Sequence, residues 1–99
     1  MLQELKLTRM DSLVSAADCL KTLAHPHRMR MTQMLLQSEF NVGELARACK
    51  IPSHMASEHL RLMCDRGLLD RERRGRFIYY SVAEPGIANI MRCVESRFA

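Results

Sequence analysis

The residues best placed to do chemistry stand close together between Ser53 and Arg61. Ser53, His54, Ser57, Glu58, His59 and Arg61 carry hydrogen-bonding side chains, and Ala56, Leu60 and Met63 recur among and after them at intervals of three and four. On a helix that spacing turns the apolar three inward and leaves Ser53, His54, Ser57, Glu58 and Arg61 outward. A row of hydroxyl, imidazole, carboxylate and guanidinium groups can donate to and accept from base-pair edges, and Glu58 is the type of residue that accepts from a cytosine amino group. His59 reads either as a phosphate contact or as a half-buried packing residue, and Met55 as an apolar contact on the helix surface. A second set follows at Arg71, Arg73, Arg74 and Arg76. Cations this closely spaced suit a polyanion, because each guanidinium can neutralise one phosphate. The plainer alternative is a solvated charged hairpin.

The flanking sequence supplies elements to hold both sets. Asn41 is a good N-cap, and Glu44 three residues later completes a capping-box spacing. Val42, Leu45, Ala46 and Cys49 then form one apolar helical face. Lys50-Ile51-Pro52 breaks the run, and since proline is tolerated only in a first turn, a second helix starts at about Pro52 or Ser53. Gly67 ends it and Leu68-Leu69 re-enters the core. Asp70–Arg73 and Arg76–Val82 read as two strands about an Arg74-Gly75 turn, the second rich in aromatic and β-branched residues. A short helix, a tight turn, a second helix and a basic hairpin make the anatomy of a helix-turn-helix with a wing, the second helix lying in the DNA major groove.

Leu20 to Val82 resembles the ArsR/SmtB family of winged-helix repressors. Leu23-Ala24-His25-Pro26-His27-Arg28 is similar to the family's LA-x-P-x-R corner, Val42-Gly43-Glu44-Leu45-Ala46 to its VGELA helix start, and Ser57-Glu58-His59-Leu60 to its S-x-HL recognition helix. Arg66-Gly67-Leu68-Leu69 resembles xGLV, and Gly75-Arg76 through Tyr79-Tyr80 resembles the GR-x-x-YY wing. The resemblance implies DNA binding by a homodimer joined through its first and last helices. It gives no support to the family's metal or thiol sensors. Where one sensor has cysteine before VG this chain has Asn41, its last helix has no histidine, and Gln33 replaces a second-helix cysteine.

Composition agrees with a nucleic-acid partner. A net charge of +4 and a pI near 9.2 favour a polyanion, and the arginine clustering makes nucleic acid the first choice, while an acidic protein or a membrane surface would fit the net charge alone. No apolar run approaches the roughly 20 residues of a membrane span, and no secretion signal is visible, so the expected location is the cytoplasm with reduced thiols. Cys19, Cys49, Cys64 and Cys93 contain no C-x-x-C pair. Phosphate-cradling glycine loops, G-x-S-x-G and H-E-x-x-H are all missing, which argues against an enzyme. Cys64 and His59 are five apart and fall on different helix faces.

The ends of the chain point to a second subunit. Residues 1–24 read as one helix with two apolar faces, Met10, Leu13, Val14, Ala17 and Ala24 on one and Ala16, Cys19 and Leu23 on another, the second being the candidate partner face. His25-Pro26-His27 forms the corner to a helix carrying Met29, Met31, Met34 and Leu35. With a proline between the two histidines and no cysteine or carboxylate beside them, no metal site is expected there. Gln37–Phe40 is a connector with room for a very short strand against the wing. Ile87, Ile90, Met91, Val94 and Phe98 stripe the last helix, expected to be buried in a dimer.

The expected molecule is thus one mainly α domain with a small β-hairpin, a winged helix-turn-helix. Residues 1–24 and 85–99 are its dimerisation helices, 41–65 the helix-turn-helix and 68–82 the wing. The expected dimer interface is Leu13, Ala16, Leu20, Leu23, Ile87, Ile90, Met91 and Val94. The expected function is a homodimeric repressor at an inverted-repeat operator, against a protein-interaction module or a thiol- or metal-responsive sensor. No cofactor is expected, save a soft metal or thiol oxidation at Cys19 and Cys93 should the end helices bring those two together.

Overall fold

The computed structural model describes residues 4–99. Among them the chain forms α1 (Met10–Leu23), α2 (Pro26–Leu35), β1 (Phe40–Asn41), α3 (Val42–Cys49), α4 (Ser53–Asp65), β2 (Leu69–Arg74), β3 (Phe77–Val82) and α5 (Ile87–Arg97). The strands make one antiparallel sheet in the order β1-β3-β2. Phe40 opposes Tyr80 and Asn41 opposes Tyr79, so the short connector strand does abut the wing.

Local chemistry sets most boundaries. Asn41 Oδ1 accepts from the Glu44 N–H at 3.0 Å and Glu44 Oε1 accepts from the Asn41 N–H at 2.9 Å, which is the anticipated capping box. Pro52 is the N-cap of α4, with Ser53 its first helical residue. At the far end Gly67 takes φ +77°, its N–H reaches Cys64 O and the Leu68 N–H reaches Met63 O, both at 3.0 Å. That is a Schellman stop, and it directs Leu68 into the core beside Met63. The hairpin turn sits one residue later than the sequence suggests. Arg74 pairs with Phe77, leaving Gly75 and Arg76 as the loop, and Gly75 alone has positive φ (+63°), the type II′ pattern.

The first helix departs from expectation. Residues 1–3 of the anticipated helix lie outside the described residues, and α1 begins only at Met10 because Arg9 is extended (φ −60°, ψ 144°). Only Thr22 and Leu23 of α1 are buried, so its N-terminal half stands clear of the body.

The core lies where α2, α3 and α4 meet the inner face of the sheet. Met31, Leu45, Ala56, Leu60 and Met63 are fully enclosed, and Leu35, Leu69, Tyr80, Ile87 and Met91 close around them. Each large apolar side chain enclosed this way contributes about 1.5–3 kcal/mol. Thr32 is buried too, but its hydroxyl donates to Met63 Sδ at 3.6 Å, and among the described residues no buried side-chain polar atom lacks a partner. α4 is therefore held rigidly by its apolar side.

Candidate nucleic-acid interface

With Ala56, Leu60 and Met63 locked into the core, the opposite side of α4 is fixed in direction. Ser53, His54, Met55, Glu58 and Arg61 are exposed there, and Ser57 is half-buried. Ser57 shares a cleft with Arg47 of α3 and with Arg76, Phe77 and Ile78 of the wing. A helix side chain and a wing cation thus converge on one groove. Arg47 escaped the sequence reading, although it falls outside the apolar set Val42, Leu45, Ala46 and Cys49 and is exposed.

The four wing arginines divide by strand parity, because successive strand residues face opposite sides. Arg71 and Arg73 share the face of Leu69 and lie opposite Tyr80 and Ile78, on the side of the helices. Arg74 is on the other face, opposite Phe77. Its Nη1 and Nη2 donate to the two Glu39 carboxylate oxygens at 3.1 and 2.7 Å, its Nε donates to Glu72, and its guanidinium lies 4.8 Å from the Tyr79 ring centre. These bonds raise the Arg74 pKa further, and the hydrogen bond from Arg74 holds the Glu39 carboxyl below its ordinary value. Arg74, expected as a DNA contact, is tied to two carboxylates and braces the wing against the connector before β1. Arg73 and Arg76 remain exposed at the tip.

His59, open between a phosphate contact and a packing role, packs against the body. It is half-buried, its Nδ1 accepts from Arg28 Nε at 3.0 Å, and its ring centre is 4.5 Å from that of His25 and 6.0 Å from that of His27. Burial, followed by the neighbouring His25 and Arg28, lowers its pKa. Burial and then Arg28 lower that of His25 as well, whose Nδ1 caps α2 by accepting from the His27 N–H at 3.1 Å. The packing reading of His59 is the one realised. Arg28 Nη1 also donates to Thr22 O at 3.0 Å, so Arg28 ties α1, α2 and α4 together.

The candidate thiols fall in different places. Cys19 is half-buried, donates to Arg66 O at 3.7 Å, and lines a groove with Leu20, Leu23, Ile87 and Ile90. Cys93 is exposed and does not line that groove. Burial pushes the Cys49 and Cys64 thiols up, so both remain protonated at neutral pH.

The two faces of α1 are used in the reverse of the expected order. Leu23 and Cys19 turn to the chain's own body, while Met10, Leu13 and Val14 are left in solvent. Leu23, Ile87 and Met91, expected at a dimer interface, are core residues of the single chain at 4%, 1% and 3% exposure. Leu13, Ala16, Leu20 and Ile90 stay on the surface and Val94 is half-buried. Phe98, expected to be buried in a dimer, is 74% exposed on the single chain.

Known proteins share this arrangement. Residues 23–72 match a family model described as a helix-turn-helix domain. A biofilm growth-associated repressor of Agrobacterium fabrum is 33% identical over 96 residues, covering 96% of this chain and 82% of that protein. A transcriptional repressor SmtB homolog of Synechocystis is 32% identical over 83 residues, covering 84% of this chain and 63% of its own length. Among solved structures, a homodimeric winged helix-turn-helix DNA-binding domain from Mycobacterium bovis, described as a possible ArsR-family regulator, superposes with a TM-score of 0.78. It is 27% identical, covering 92% of this chain and 85% of that one.

Proposed function

Because this chain belongs to the ArsR/SmtB family of helix-turn-helix regulators, we propose that it is a homodimeric repressor that binds double-stranded DNA at a short inverted repeat. The observation that carries this reading is the meeting of α4 and the wing in one cleft, with Ser57 on one side and Arg76 on the other. Ser57 from within that cleft, and Ser53, His54, Glu58 and Arg61 beside it on α4, read base edges, since they project from a helix whose other side is immobilised in the core. Arg71, Arg73, Arg76 and Arg47 sit at phosphates or in the minor groove. Arg74 and His59 position the wing and α4 without touching DNA. The chain is a regulator rather than an enzyme.

Two copies are needed for an inverted repeat. Leu13, Val14, Leu20 and Ile90 leave an apolar surface along α1 and α5, and pairing these helices about a twofold axis sets the α4 helices about 34 Å apart, one turn of B-DNA. Among the described residues no helix is long and apolar enough to cross a membrane, and a role on operator DNA calls for a cytoplasmic protein. Selection of bound duplexes from a random-sequence pool tests the reading. Enrichment of a palindromic site supports it; recovery of sequences no different from the input pool contradicts it.

A further inference from the structure

Three histidines separated by up to 34 positions meet where the α1–α2 corner touches α4. One ligating atom from each of His25, His27 and His59 lies within 4.8 Å of the others, and all three residues are half-buried. We propose that these imidazoles form a binding site for a divalent first-row transition metal ion of the zinc(II) type, with a fourth position left to water. The site stands independently of DNA binding, and no cysteine belongs to it.

Three features separate this cluster from ordinary packing. Neutral imidazole is the commonest protein ligand for such ions, and an all-nitrogen set suits zinc, nickel, cobalt and copper(II) rather than softer ions. The imidazole of His27 makes no hydrogen bond among the described residues, so it has no competing structural task. The geometry is also within reach. Zn–N bonds of about 2.0–2.1 Å place tetrahedral ligand atoms roughly 3.4 Å apart, so ring nitrogens that lie within 4.8 Å of one another close by at most about 1.4 Å, a matter of side-chain rotation.

The existing hydrogen bonds say what loading would displace. Nδ1 of His25 is engaged by the His27 N–H and Nδ1 of His59 by Arg28, which leaves Nε2 of each ring for the metal. A neutral imidazole ligated through Nε2 carries its proton on Nδ1, where it becomes a donor. Arg28 and the His27 N–H must then give up these acceptors. Arg28 thus competes with the ion twice, as a cation beside it and as the partner of a ligand.

The test is titration of the purified full chain with zinc(II), cobalt(II), nickel(II) and copper(II), each metal alone, followed by calorimetry and by the visible absorption of cobalt(II). One ion per chain is expected in the parent and in the Cys19→Ser, Cys93→Ser double variant. His27→Gln should weaken binding at least tenfold, and Arg28→Met should tighten it severalfold, an opposite sign that a loss of folding would not produce. Binding that survives His27→Gln unchanged, or that needs the cysteines, overturns the proposal. Imidazole ¹⁵N resonances of the parent give a reading without any variant. Metal-dependent shifts at all three rings are expected, and their absence for every ion tested overturns the site.

Discussion

Arg74 shows how a side chain of the right type at the right place can still be spoken for. Its guanidinium meets both oxygens of Glu39 and one of Glu72, so its charge is already answered. Arg74→Ala should therefore leave the slope of log K against log salt unchanged, whereas Arg73→Ala, losing one contact in each subunit of a dimer, should flatten it by about 1.8. Equal flattening by both variants would place Arg74 on phosphate after all. The same pair has a pH signature. The Glu39 pKa is lowered from 4.5 by the hydrogen bond from Arg74. The tie is thus fully present above 4.5 and is lost as the pH falls through the lower folded value. A side-chain carboxyl titration by NMR should show Glu39 below the ordinary range in the parent and returned to it in Arg74→Ala. An unmoved midpoint would mean the pair does not persist in solution.

At the scale of elements, stability rests on the ends of α3 and α4. Asn41→Ala removes the side-chain half of the capping box and should cost about 1 kcal/mol in denaturant unfolding. Lys50, at the opposite end of α3, holds φ +58° in a Schellman turn whose Ile51 N–H reaches Ala46 O at 3.1 Å. A left-handed conformation is costly for any residue with a Cβ, so Lys50→Gly should gain roughly 1 kcal/mol. A loss there would show that the lysine side chain offsets its strain. These two ends also mark what was legible from the sequence. Asn41 with Glu44, Pro52, Gly67 and a turn at Gly75 act over a few residues, so their types and spacing disclose them, although the register of the hairpin falls one residue later. The Arg28–His59 and Arg74–Glu39 bonds join residues 31 and 35 positions apart. No local pattern encodes them, which is why residue types alone leave His59 open between two roles and do not separate Arg74 from the other wing cations. The helical wheel of α1 disclosed two apolar faces, but which one meets the body depends on the direction of the corner at His25-Pro26.

The whole molecule is longer than a chain of this size needs to be. Its extents are 57 × 29 × 20 Å and its radius of gyration is 15.5 Å, against about 13 Å for a compact domain of similar length. The excess is an α1 whose Met10, Leu13 and Val14 touch nothing that buries them, and Ile90 of α5 shares that exposure. A twofold partner accounts for these residues together. Ile90→Glu, tolerable on a 36% exposed position of the single chain, should place an unpaired carboxylate in the interface. At about 3 kcal/mol or more, that weakens dimerisation over a hundredfold. Sedimentation should find the parent dimeric and the variant monomeric at micromolar concentration, and a dimeric variant would move the interface elsewhere. The account rests most on DNA being gripped by α4 and the wing of two subunits at once, and the salt dependence of binding to a selected duplex measures that grip directly. Arg47, Arg71, Arg73 and Arg76 in both subunits predict a log K that falls with log salt at a slope approaching −7, at about 0.9 per phosphate; a slope near zero would contradict the account.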